Sequence, residues 1–316
     1  MGSREELKIK IIPDMPTKYP RIEDLVGVSR KFADNLVNSI EHGKIYEMLG
    51  VQPNKSFMLS GPPGTGKTFS LQAINNSMNK LLYDIKPTKE GELQKAEPSE
   101  TDLKMFMVSY DIGRYGSSYI NGGSRIIQKF FDIAYMLSLQ KPTVVKIDEA
   151  DALLTQRGSI QSHAEDRKNL ETLMKNLQAA HDTKDMYVVM MTNHVDYVDK
   201  AVLRAGRVDK RYFIDYATLD ERKKLFKQII KTRNDNAVYN VIRNYDVNKL
   251  ADLSEGFSNA DIAAVVEKTL KEKALKLIKD KKPGIICAGY INGTWIEKEI
   301  DKHRKDFYEK KKKIGF

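Results

Sequence analysis

The sequence predicts an α/β fold, a parallel sheet flanked by helices, followed by a smaller, all-helical C-terminal domain. Two observations carry that expectation. Between about residues 21 and 216 five short apolar runs (SFMLS, MFMVSYD, TVVKID, YVVMMTN and RYFIDY) alternate with helix-periodic segments, the pattern of strands covered on both faces. From about residue 217 only helical spacing remains, and a chain of 316 residues is long enough for about two domains.

Taken in order, residues 1–20 hold three prolines and no periodicity, so they read as an N-terminal arm. The large α/β domain spans 21–216. Its first strand, SFMLS, runs directly into GPPGTGKT at 61–68 and then into the helical FSLQAINNSMNKLL. Before the next strand lies DIKPTKEGELQKAEPSETD, so rich in charge and turn formers that 84–102 reads as a surface excursion. The helical domain, 217–316, begins with LDERKKLFKQIIKTR. Further on, Ser258 with Asp261 and Thr294 with Glu297 each have capping-box spacing ahead of a helical run, the second run being the C-terminal helix.

Composition removes several function classes. No apolar run approaches the roughly 20 residues of a membrane-spanning helix, and FFDIAYMLSL is short and already carries Asp132. The start shows no charged leader followed by an apolar core and a cleavage site. Cys287 is the single cysteine, so an intrachain disulfide and a cysteine-based zinc site are both excluded, and a cytoplasmic location is expected. The five histidines (His42, His163, His181, His194 and His303) never form the His-Glu-x-x-His of a zinc protease. The net charge of +10 hints at an acidic partner, but much of the excess sits in KDKK and KKKK near helix ends, where cations favour the negative end of the dipole.

GPPGTGKT fits Gly-x-x-x-x-Gly-Lys-Thr between a strand and a helix, the context that a phosphate-binding loop requires. Glycines there let the backbone wrap a polyphosphate with its N–H groups turned inward, and the adjoining helix adds its positive end. Gly61, Pro62, Pro63, Gly64, Thr65 and Gly66 are therefore candidates to cradle a polyphosphate. Lys67 is the point charge for the β- and γ-phosphates, and the Thr68 hydroxyl is a ligand for Mg2+. TVVKIDEAD supplies the acid such a site needs at the end of another strand. Asp148 is the second magnesium ligand, direct or through water, and Glu149 is the base that polarises the attacking water.

These elements, together with the rest of the chain toward the C terminus, resemble the AAA family of ATPases, a group within the AAA+ superfamily that includes protein unfoldases and complex-disassembling motors. The resemblance runs from about Ile22 to the C terminus and implies that the polyphosphate is that of ATP. Its most specific part is VVMMTNHVDYVDKAVLRAGRVDKRYFIDY, 188–216, which is similar to the family's second region of homology. It implies that Asn193 is the polar sensor of the attacking water and that Arg204 and Arg207 reach into a neighbouring subunit's site. IEDLVGV resembles the adenine-holding segment, which makes Asp24, Val26 and Gly27 candidates. GFSNADIAA resembles the segment of the helical lid that meets the base, which adds Ala260, with Asn259 in place of the usual glycine. Lys231 stands where relatives have a histidine, Lys146 occupies a strand position that is usually apolar, and His194 and Ala205 also depart from the pattern.

In the family, the loop after the second strand lines a central pore, and GRYGSSYINGGS lies at the matching place, so Tyr119 and Ile120 are the expected grip on an extended polypeptide. The resemblance implies a homo-oligomeric ring, a hexamer, that unfolds, translocates or disassembles protein or peptide substrates, reached directly or through an adaptor. The alternative is a nucleic-acid-associated ATPase of the loader or helicase type. Net charge alone favours it, and no helix-turn-helix, zinc finger or RNA-binding module accompanies it.

Overall fold

The computed structural model describes residues 20–79, 103–110, 123–154, 164–204, 206–237, 240–279 and 289–314. The surface excursion at 84–102, the grip residues Tyr119 and Ile120, and all but the last residue of the arm lie outside them. The chain forms two compact units. One takes in the residues up to Gly61 together with Lys67–Ile214; the other combines Pro62–Gly66 with the chain from Asp215 onward.

In the first unit the five apolar runs form five strands: β1 (Ser56–Ser60), β2 (Phe106–Tyr110), β3 (Thr143–Ile147), β4 (Met186–Thr192) and β5 (Lys210–Phe213). All pair in parallel, in the order β2-β3-β4-β1-β5. Every residue of β1 and β4 is buried, as expected when helices cover both faces of a parallel sheet. Side-chain alternation divides the strands between two cores. Met58, Val145, Ile147, Val188 and Met190 pack with Phe130 and Phe131 of α4 (Gly123–Ser138) and with Leu173 and Leu177 of α6 (Ala164–Asp182). Phe57, Leu59, Val144, Val189 and Met191 pack on the other side with Phe32 and Leu36 of α1 (Gly27–Glu41) and with Leu71 and Ile74 of α3 (Lys67–Asn79). A short helix, α2 (Gly43–Met48), comes after α1, and α5 (Asp151–Leu154) comes after β3.

The sheet's two ends are tied differently. At the start of β1, the Asp209 carboxylate accepts hydrogen bonds from the N–H groups of Lys55 and Ser56, at 2.8 and 3.0 Å. At the far end, β1 meets β5 so closely that a Cβ added to Gly61 would lie 2.0 Å from the Ile214 carbonyl oxygen. Gly61 also has a φ of 141°, which disfavours other residues. The first glycine of GPPGTGKT is thus required by sheet packing, apart from any ligand.

In the second unit, α7 (Leu219–Asn236) is capped by Thr218, whose hydroxyl accepts from Glu221 N while Glu221 accepts from Thr218 N. Arg222 is buried because its guanidinium donates to two carbonyls, Ala251 O and Ala217 O, both at 2.8 Å. The helices α8 (Val247–Leu253), α9 (Asn259–Lys279) and α10 (Gly293–Ile314) complete it around Phe226, Ile230, Leu250, Val265 and Ile300. Ser258 and Asp261 form their expected box at the start of α9. Thr294 and Glu297 do not: α10 begins before them at Gly293, the Thr294 hydroxyl donates to Asn292, and Glu297 pairs with Lys249 at 2.6 Å.

Gly61→Ala is expected to lower unfolding free energy by about 2 kcal/mol or more, through backbone strain and overlap with Ile214. Urea denaturation measures this, and an unchanged midpoint would refute the packing explanation.

Candidate active site

In the first unit, pairing brings β1, β3 and β4 to the same end of the sheet, with β3 stopping opposite Met190, short of the other two. Ser60 lies opposite Thr192 and Ile147 opposite Met190, so Gly61, Asp148 and Asn193 each step off the same edge of the sheet. Such an edge is where ligands sit in open parallel sheets. Lys67 opens α3, is only 9% exposed, and donates from Nζ to the Gly61 carbonyl at 2.8 Å. Burial pulls its ammonium below the ordinary lysine value, and the nearby Asp148 charge opposes that shift. An anionic ligand would act in the same sense as Asp148, so the lysine is set to gain from one.

At the next residue of α3, the Thr68 hydroxyl donates to Asp148 Oδ2 at 3.4 Å. A hydroxyl and a carboxylate converging in this way are the hard oxygen donors that Mg2+ prefers, so these residues fit that ion. Asp148 Oδ1 accepts from Glu149 N at 3.1 Å, and Oδ2 also lies 3.2 Å from the Lys146 ammonium. Glu149 is exposed and has a φ of 50°, a left-handed conformation that is costly for a residue with a Cβ. That conformation departs from the extended backbone of the strand immediately after Asp148.

Asn193 is exposed at the end of β4, and its backbone is held from both sides. The buried Thr192 hydroxyl donates to Asp151 Oδ1 at 2.8 Å and accepts from His194 N at 2.9 Å, while Ala150 N donates to the Met191 carbonyl. Sequence reasoning passed over Thr192 and Asp151. The only available signal was that each lies close in the chain to a residue already singled out.

The two arginines differ. Arg204 is exposed, whereas Arg207 is partly buried and donates from Nη1 to the Ala201 carbonyl at 2.7 Å and toward Met174 Sδ at 3.4 Å. Of the adenine candidates, Asp24 ends a short 3-10 turn and its carboxylate accepts from Arg21 N at 2.8 Å. Val26 and Gly27 form the entry to α1. The Asp24 side chain is thus occupied by its own turn.

In the second unit, the loop Pro62–Gly66 is gripped by the start of α9. Asn259 donates from Nδ2 to the Thr65 carbonyl at 2.8 Å, Ala260 N donates to the Gly64 carbonyl at 3.0 Å, and the Thr65 hydroxyl donates to Pro62 O at 2.9 Å. A Cβ on Gly64, whose φ is 78°, would lie 2.7 Å from Ser258 Oγ. Asn259, one of the positions that depart from the family pattern, therefore helps to hold this loop. Behind it, Asp261 is held below the usual carboxylate range. Burial alone would raise it, but hydrogen bonds from Ser258 and the pairing with His303 outweigh that effect.

The family model for the ATPase family associated with various cellular activities (AAA) matches residues 57–216, just over half of the chain. This chain belongs to the AAA family of ATPases. It is 28% identical over 291 residues to a proteasome-activating nucleotidase of Thermococcus gammatolerans, an alignment covering 90% of this chain and 62% of that protein. It is 27% identical to 26S proteasome regulatory subunit 8 of Dictyostelium discoideum, covering 82% of this chain and 56% of that one. A putative cell division cycle ATPase of Plasmodium falciparum is 26% identical, with 78% and 17% covered. The chain therefore spans less than two thirds of the length of each of these curated relatives. Among the described residues, no helix is long and apolar enough to cross a membrane.

Because Arg207 is tied to the Ala201 carbonyl of its own chain, Arg207→Ala is expected to lower unfolding free energy by about 1–2 kcal/mol, and Arg204→Ala by no more than about 0.5 kcal/mol. Thermal and urea denaturation of the two variants side by side make the comparison, and equal losses would contradict the assignment.

Proposed function

We propose that this protein hydrolyses ATP with Mg2+ as part of a homo-oligomeric ring, a hexamer, that draws protein substrates through a central pore. The observation that carries this reading is the convergence of Thr68 on Asp148, two residues eighty positions apart in the chain. Loop 61–68 takes the phosphates, Lys67 supplies their counter-charge, and Thr68 and Asp148 hold the magnesium, which supplies charge neutralisation at the phosphates when bound. Glu149 accepts a proton from the attacking water, and Asn193 orients that water. Arg204, being exposed, serves the neighbouring copy's γ-phosphate as a permanent positive charge, while Arg207 holds the segment that carries it.

Tyr119 and Ile120 grip the polypeptide. An aromatic on a loop packs on any backbone without reading sequence, which suits a motor for many substrates. Relatives named for the proteasome support a protein substrate, whether met directly or through an adaptor, and the single cysteine suits a cytoplasmic setting. Hydrolysis alters the contact between adjacent copies and moves their loops along the axis, a rigid-body conversion of local chemistry into displacement.

Glu149→Gln is expected to bind ATP as the wild type does while turnover falls about 10²- to 10⁴-fold, the usual range for a lost general base. Its trapped, ATP-bound form should co-purify with substrate. Rapid hydrolysis by that variant would overturn the base assignment. The basic charge of the chain favours the second reading, a loader or helicase, and ATPase stimulation decides between them. Stimulation by unfolded protein that disappears in Tyr119→Ala supports the first, and stimulation by DNA with a steep salt dependence supports the second.

A further inference from the structure

We propose that Lys146 is a built-in counter-cation of the magnesium site, sharing Asp148 with the metal and setting how much Mg2+ the site needs. The proposal rests on the reading of the site as one for magnesium and nucleotide. It starts from a position that sheet physics makes unusual. Val144, Lys146 and Asp148 alternate onto one face of β3, the face that packs with Leu71 and Ile74 of α3, and Val144 is fully buried there. Ser109 of β2 and Val189 of β4 lie opposite Lys146 in the register. The lysine side chain is only 15% exposed, and a buried ammonium is costly unless it is paired.

Its partner is the Asp148 carboxylate, and the shared atom is the informative part. Nζ lies 3.2 Å from Oδ2, the same oxygen that accepts from the Thr68 hydroxyl at 3.4 Å, while Oδ1 is taken by Glu149 N. Lys146 therefore stands against the one oxygen that also faces the other magnesium ligand. A lysine stem is long enough to lie along an apolar sheet face and bring its head to a residue two positions on. The consequence is electrostatic and needs no change of protonation. A divalent ion entering beside Thr68 and Asp148 meets a monovalent one already sharing the carboxylate, and either the two repel or the ammonium must give way.

The lysine thus keeps Asp148 neutralised and oriented without metal and raises the metal concentration at which the site fills. An apolar residue at 146 would leave Asp148 as a fully available ligand. The same pairing explains how a charge survives at a strand position whose neighbour Val189 is fully buried.

Electron paramagnetic resonance of Mn2+, with the full-length chain and ATP, reads metal occupancy without depending on turnover. Lys146→Met should lower the Mn2+ concentration for half-saturation roughly tenfold, because one competing unit charge is removed at contact distance. Lys146→Arg, which keeps the charge, should stay near the wild-type value, and added Mg2+ should displace the bound Mn2+ in all three proteins. Urea denaturation of the Met and Arg variants shows whether a changed midpoint is merely a folding defect: a defect would weaken metal binding, whereas the proposal requires it to tighten. If the wild type binds Mn2+ with ATP and Lys146→Met binds it no more tightly, this proposal fails and the nucleotide reading stands. If the wild type shows no ATP-dependent Mn2+ binding, both fail.

Discussion

Parallel pairing of β3, β4 and β1 at a fixed register is the constraint on which the rest of the active-site edge depends. Each strand pair has one register that keeps both faces apolar, because a slip by one residue would turn every buried side chain to the opposite core. With the two cores filled as they are, Ser60, Thr192 and Ile147 are locked near one another at the same end of the sheet. The residues that step off those ends are Gly61, Asn193 and Asp148. The chemistry at the edge is therefore assembled by hydrophobic packing some distance below it.

Two kinds of unusual backbone occur in the chain. Gly61 and Gly64 have positive φ and sit where a Cβ would strike the Ile214 carbonyl and Ser258 Oγ, respectively. Whatever the loop binds, these two glycines are already called for by neighbours in the chain's own fold. Glu149 has no such excuse. It carries a full side chain in the left-handed region, exposed and directly after Asp148, and no close approach of the backbone to a neighbour requires that conformation among the described residues.

The fold was legible in the sequence to the level of individual strands, because buried parallel strands leave continuous apolar runs that turn-rich segments punctuate. The pattern GPPGTGKT and the acids after TVVKI could also be picked out from spacing alone, and the structure brings Lys67, Thr68 and Asp148 of those two segments to the same end of the sheet. What escaped was what depends on long-range partners. The box read at Ser258 and Asp261 formed, while the one read at Thr294 and Glu297 did not, because a competing pair with Lys249 takes the glutamate. Two arginines three apart looked equivalent, but Ala201 and Met174 claim one of them. The role of Asn259 was hidden for the same reason: its partner, Thr65, is 194 positions away.

The central claim is that Thr68 and Asp148 act together as the seat of the metal that accompanies ATP. Calorimetric titration of ATP with and without Mg2+, on the wild type and on Thr68→Val, tests it most directly. The account predicts that magnesium strengthens ATP binding to the wild type, that most of this gain vanishes in Thr68→Val, and that the metal-free affinities of the two agree. An equal magnesium-dependent gain in both proteins would contradict it.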